Sequence, residues 1–148
     1  MEKIIVSGCL YGYNCRYDGK NCFVEKIEQL KEKAILIPLC PEQMGGLATP
    51  RHPSEIQQDR LINNVGIDVT KEYHIGANAT LQLAKENNVK YALLKQKSPS
   101  CGKSKIYDGT FSGTVIDGQG VTAKLLMEYG IAVYSEEEID DLLLRLNQ

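Results

Sequence analysis

A chain of 148 residues sets the expectation of one domain over residues 1–148, large enough to bury a core without disulfide staples. It is 43% hydrophobic and 24% charged, the composition of an ordinary soluble globular protein, and its net charge of −2 supplies no basic field for a nucleic-acid backbone. No apolar run approaches the roughly 20 residues of a membrane helix, and Glu2-Lys3 leads straight into a strand without a leader's apolar core, so a cytoplasmic location is expected.

Residues 3–9 read as the first strand, and Leu10 to Asn21 as a turn-rich loop. Cys22 to Lys33 reads as a helix with Val24, Ile27 and Leu30 as its apolar stripe. A second strand over 34–39 runs into Cys40-Pro-Glu-Gln-Met-Gly-Gly46, with Pro38 marking its end. Leu47 to Val69 is a long polar excursion, functional or mobile, with a small ribbon around Arg60 to Val65. Lys71 to Asn87 is a helix that buries Ala77, Leu81 and Ala84, and Asn87-Asn88 end it. The third strand, 89–95, breaks at Ser98-Pro-Ser-Cys-Gly102. Ile106–Gly109 and Thr114–Gly118 flank a glycine-rich segment with the look of a short hairpin. Val121 to Tyr129 is a helix closed by Gly130, and 131–134 is the fourth strand. Ser135-Glu-Glu-Glu138 is a capping box opening a last helix on Ile139, Leu142, Leu143 and Leu146. Strands alternating with helices predict a three-layer α/β fold. Its mainly parallel, four-stranded, Rossmann-like sheet has helices on both faces and one long loop insertion.

Five cysteines, an odd number, argue against a disulfide framework and towards metal binding, catalysis or burial. Cys9, Cys40 and Cys101 each follow a predicted strand, and in a parallel sheet three strand ends meet at one edge, where open α/β sheets place their ligands. Soft thiolates select zinc, Cu(I) or iron–sulfur clusters, and three ligands around a cluster that wants four leave one metal atom open. No Cys-x-x-Cys pair is present, and His52 and His74 stand at no zinc-finger spacing. Three uses are open to Cys15: ligand, redox partner of Cys9, or packing. Cys22 reads as structural, and His52 as an exposed loop residue. Glu42, two residues after Cys40, is placed to move protons beside a bound substrate, and Ser98 to hydrogen-bond or deliver one. Arg16, Asp18, Arg51 and Lys103 are polar candidates for holding an anionic or carbonyl-bearing ligand. Nucleotide-cradling glycine motifs are absent.

Several strings together resemble one family. They are Ser7-Gly-Cys9-Leu10 with Gly12, Cys15-Arg-Tyr-Asp-Gly19, Cys40-Pro-Glu-Gln-Met-Gly-Gly-Leu47 with Thr49-Pro-Arg51, Lys97-Ser-Pro-Ser-Cys-Gly102 and Tyr107-Asp-Gly-Thr-Phe111. This is the compact prokaryotic family, long labelled a domain of unknown function, that is typified by thiouracil desulfidase. The resemblance implies a 4Fe–4S cluster held by Cys9, Cys40 and Cys101 with one iron open. Water would replace the sulfur of a thiolated pyrimidine without net redox change, with Glu42 and Ser98 handling protons and Cys15 outside the ligand set. Gly8 stands where alanine is common in that family, and the 47–67 segment looks abbreviated. The implied partner is a small thiolated base or nucleoside, with neither membrane nor nucleic acid. The alternative is a non-enzymatic metal-binding or sulfur-sensing module with zinc or an iron–sulfur cluster at the thiol trio.

Overall fold

The computed structural model describes residues 1–148. In chain order the elements are β1 (Lys3–Ser7), α1 (Gly8–Tyr11), α2 (Ile27–Lys33), β2 (Ile35–Leu39), α3 (Pro41–Met44), β3 (Ser54–Gln57), β4 (Arg60–Asn63) and α4 (Thr70–Glu86). They continue with β5 (Tyr91–Leu94), β6 (Lys105–Tyr107), β7 (Val115–Asp117), α5 (Val121–Glu128), β8 (Ala132–Ser135) and α6 (Ile139–Leu146). The main sheet has the order β2-β1-β5-β8 with every pair parallel. The predicted three-layer α/β architecture is therefore the observed one.

Central strands of such a sheet are covered on both sides and read as unbroken apolar runs. Accordingly, Ile4, Ile5 and Val6 of β1 and Ala92, Leu93 and Leu94 of β5 are fully buried. On one face, Ile5, Ala92 and Leu94 pack with Leu81 and Ala84 of α4 and Ala123 and Leu126 of α5. On the other, Ile4, Val6 and Leu93 meet Ile27 and Leu30 of α2 and Leu142 and Leu143 of α6. A smaller cluster of Leu61, Val69 and Tyr73 seats the β3–β4 hairpin.

Some boundaries differ from expectation. The first strand stops at Ser7, so Cys9 sits on the short helix α1. The helix expected from Cys22 begins only at Ile27, which frees Cys22 from any helical turn. Pro38 does not end its strand: it pairs in register with Val6, and β2 continues to Leu39. The reason is position, because β2 is an edge strand and proline is tolerated there. The excursion is ordered around the antiparallel β3–β4 ribbon, which starts earlier than the 60–65 reading, and β6–β7 is the second hairpin. The capping box is present: Ser135 Oγ accepts from Glu137 N at 3.2 Å, and Glu138 Oε1 from Ser135 N at 3.0 Å. No helix is long and apolar enough to cross a membrane.

One contact fixes α3, which carries Glu42 and follows Cys40. The helix lies backbone to backbone on α4, and both sides of the contact are glycine. A methyl group on Gly45 would overlap the Glu72 carbonyl, and one on Gly76 would overlap the Pro41 carbonyl. Neither neighbour can swing aside, because both are main chain. Gly76→Ala should therefore lower the unfolding free energy by about 3 kcal/mol in denaturant titration, the upper range for overpacking. Gly130→Ala should cost about 1 kcal/mol, since that site has φ +83 and open space around it.

Candidate metal centre and active-site cavity

Parallel strands bring the ends of β1, β2 and β5 to one edge. The chain leaves β1 for β2 on one side and returns to β5 on the other, which makes this edge a topological switch point. A cavity of about 600 Å³ opens there, and all five cysteines line it. Cys9 enters from α1, Cys40 from the β2–α3 junction and Cys101 from the turn after β5. Cys101 is 4% exposed, and Cys9 and Cys40 are half-buried. Cys22 also lines the cavity, held there by its N–H on the Cys9 carbonyl at 2.9 Å, and packs against the core cluster of Ile4, Val6 and Leu10. Sequence periodicity placed it on a helix and so hid this. No three His, Cys, Asp or Glu side chains are grouped tightly enough to hold a single ion.

The thiols differ in acidity. Burial pushes Cys9 far up, and the neighbouring Cys101 and Cys22 add to this against an opposing pull from Lys95. Burial lifts Cys101 to about 12, although hydrogen bonds from Ser7 and Ser100 hold it back. Cys40 Sγ donates to the Cys15 carbonyl at 3.7 Å, and the Cys15 thiol is placed to donate to Cys40 Sγ in turn. The thiol–thiol bond, helped by the Gln43 backbone N–H, draws Cys40 below the ordinary thiol range and drives Cys15 above it. Gly8 makes room for this pair, since a methyl group there would stand 3.0 Å from Cys15 Sγ.

Glu42 is clamped at both oxygens. The buried Tyr73 hydroxyl donates to Oε2, and Arg51 Nη2 lies 3.3 Å from Oε1. Burial and the adjacent carboxylate push the Tyr73 phenol up, so it stays a donor. Arg51, with 8% of its side chain exposed, also donates to the carbonyls of Cys15 (3.0 Å) and Ala48 (3.2 Å) and to Thr49 Oγ1 (2.8 Å). Its two Nη groups are thus filled by the protein itself. Arg51 ties the Cys15 loop to α3, whereas the sequence suggested a ligand-holding residue. Only its Nε lacks an acceptor.

Ser98 lines the cavity, and its Oγ accepts the backbone N–H groups of Ser100 (3.1 Å) and Cys101 (2.9 Å). It shapes the cysteine turn. The turn is wedged further by Gly102, where a methyl group would come 2.6 Å from the Lys105 carbonyl. Ser100 Oγ bonds Thr122 Oγ1 at 2.8 Å.

Of the remaining candidates, Arg16 lines the cavity, stacked 5.2 Å from the Tyr17 ring centroid and 3.5 Å from Asp18. Asp18 stands behind Arg16 and accepts from Lys20 N, so it does not face the cavity. Lys103 is outside the cavity altogether: its ammonium is 2.7 Å from Glu138, across the α6 cap. His52 is exposed, as expected. In place of Lys103 the structure supplies Lys95, whose Nζ pairs with Glu136 at 2.9 Å beside the cavity. Lys95 directly follows β5, so the rule that ligands bind at strand ends was the available signal. Ser54, Glu55, Tyr107 and Phe111 of the two hairpins also line the wall. Nothing in their local sequence marks Ser54 or Glu55, whereas Tyr107 and Phe111 stand in one of the family-like strings.

A doubly wound α/β domain with a thiol-lined cavity at its switch point, and a braced carboxylate beside it, is the class of protein these features define. The chain belongs to the 2-thiouracil desulfurase family, whose family model matches residues 4–138. It is similar to the Bacillus subtilis (strain 168) protein YbbK, described as uncharacterized, with 45% identity over 95% of this chain and 99% of that one. Among solved structures it resembles the [4Fe-4S]-dependent thiouracil desulfidase TudS (DUF523Vcz), with a TM-score of 0.94, 42% identity and 99% coverage of both chains.

The split in thiol acidity is measurable on metal-free protein under anaerobic conditions. Iodoacetamide at neutral pH should alkylate Cys40 well before Cys9 or Cys101, as read by peptide mass spectrometry. Cys15→Ala should slow that labelling by raising the Cys40 pKa, and labelling of wild type should speed up as pH rises.

Proposed function

We propose that this protein is a 4Fe–4S-dependent desulfidase that exchanges the sulfur of a thiolated pyrimidine, such as 2-thiouracil, for a water oxygen without net redox change. The observation carrying this reading is that three thiols from three separate strand ends face one cavity beside a clamped glutamate. The likeness to TudS, a [4Fe-4S]-dependent thiouracil desulfidase, supports it over nearly the full chain.

The donor set fits such a cluster. Cys9, Cys40 and Cys101 are soft thiols that line one cavity beyond the strand ends, the donor type that such a cluster takes. A single zinc ion needs sulfurs converging at about 2.3 Å from one point, and the absence of a tight three-ligand group weighs against that alternative. When bound, the cluster supplies a soft, open iron able to take a sulfur ligand.

The chain's own residues do the rest. The cavity holds a pyrimidine-sized ligand and limits the water around it. Glu42 accepts a proton from the water that attacks the carbon bearing the sulfur. Tyr73 and Arg51 keep its carboxylate plane fixed while it does so. Ser98, whose oxygen is anchored by two backbone N–H groups, gives its hydroxyl proton to the departing sulfur and is reprotonated with the proton that Glu42 took from the water. The carbon gains an oxygen, sulfur leaves as sulfide with the bonding electrons, and no external electron is needed. Arg16 stands at the cavity wall as the cation available to a carbonyl or anionic substituent. An oxygen-sensitive centre and five unpaired thiols suit a reducing, cytoplasmic compartment.

Protein reconstituted under strict anaerobiosis should contain about four iron and four acid-labile sulfide per chain and release sulfide from 2-thiouracil. Cys101→Ser should lose iron. Glu42→Gln should keep iron but lose turnover by a factor of about 100–1,000. A full cluster with no sulfide release from any thiolated base would sink the activity and leave the cofactor standing.

A further inference from the structure

The string Tyr107-Asp-Gly-Thr-Phe111 takes no part in the chemistry above, yet its last residue is one of four non-glycine residues at positive φ, and the one aromatic residue among them. Phe111 has φ +55, a left-handed conformation that a bulky side chain rarely adopts. Its ring belongs to none of the three hydrophobic clusters; it is half-buried and lines the cavity. Core packing therefore does not account for it.

The conformation is held from outside the loop. Glu55, on β3 and only 9% exposed, accepts the N–H groups of both Gly109 (2.9 Å) and Phe111 (3.1 Å) through Oε1. Gln57 Nε2 donates to the Gly109 carbonyl at 2.8 Å. Gly109 lies so close to β3 that a methyl group would stand 2.7 Å from the Ile56 carbonyl. A buried carboxylate spent on two backbone donors, one of them belonging to a strained phenylalanine, is an expensive way to shape a surface loop. Strain of this kind persists where the surroundings impose it, and it concentrates at ligand sites.

We propose that Phe111 is the specificity-determining residue for the ring. It offers the face of an aromatic wall on which a planar heteroaromatic base stacks, and Glu55 is the positioning residue that aims it. Stacking recognises the π-face of the base and not its substituents, so it selects rings over open-chain thioamides. This inference rests on the desulfidase reading for its ligand class, and uracil, which has the ring but no sulfur, tests it without turnover.

Equilibrium binding of uracil to the anaerobically reconstituted protein should weaken about tenfold in Phe111→Leu, the loss expected for one stacked base. Phe111→Tyr should stay within twofold of wild type, and iron content and melting temperature should not change in either. Glu55→Ala should reproduce the loss, and Glu55→Gln, which keeps the acceptor oxygen, should recover most of it. In turnover, Phe111→Leu should raise KM for 2-thiouracil about tenfold with kcat little altered, and leave any thiourea desulfuration untouched. Uracil affinity unchanged in Phe111→Leu, or no uracil binding by wild type, overturns the proposal. A wild type that binds uracil but releases no sulfide from thiouracil removes the desulfidase reading alone, and the Phe111 comparison still decides the stacking role.

Discussion

Every strand of the main sheet runs the same way, and the site depends on that single constraint. A parallel sheet delivers all its carboxyl ends to one edge, so residues distant in the chain become neighbours without a local motif. Cys40 and Cys9 stand one and two residues after their strands, and Cys101 on the turn seven residues after β5. The alternating order of the chain then decides which ends are adjacent: β1 and β5 lie side by side, with β2 next, and these are the strands that carry the thiols. Ser7 at the end of β1 bonds Lys95 N at the end of β5, locking the two edges together at 3.0 Å.

Around this edge the protein uses main-chain contacts where precision matters and side-chain clamps where direction matters. The glycine pair Gly45 and Gly76 lets α3 lie directly on α4, which fixes the position of Glu42 to the tolerance of backbone packing. Tyr73 and Arg51 then set the direction of its carboxylate. The Cys101 turn follows the same scheme, with Gly102 giving close approach and Ser98 collecting two backbone N–H groups. Arg51 links the two halves of the cysteine set, because it grips the carbonyl of Cys15 while it faces Glu42.

Much of this was legible in the sequence because it follows from periodicity and chain order. The apolar runs of β1 and β5, the stripes of α4 and α6 and the Ser135 capping box each state their environment locally. The convergence of Cys9, Cys40 and Cys101 followed from parallel topology alone. What could not be read depended on contacts across the insertion. Cys22 looked helical because Val24, Ile27 and Leu30 keep helical spacing, but a backbone bond to Cys9 holds it at the cavity instead. Arg51 had the chemistry of a ligand grip, yet the Cys15 and Ala48 carbonyls, Thr49 and Glu42 occupy its fork. Lys103 was one short turn from Cys101 but faces the α6 cap. Pro38 looked like a stop until β2 proved to be an edge strand.

The two small hairpins fasten to each other through Glu55, Gln57 and Gly109, and to the rest of the domain through Leu61 against Tyr73 and through Lys105 against the Cys101 turn, while the cysteines hang from the parallel sheet and its crossovers. The pocket thus has two walls, one carrying the thiols at the strand ends and one carrying the hairpin residues Ser54, Glu55, Tyr107 and Phe111. Exchanges of the hairpin side chains that line the cavity can re-tailor which molecule is admitted while the strand ends that carry the sulfurs keep their places. Diversity of substrate among relatives should therefore be written in the hairpin side chains while the strand ends stay constant.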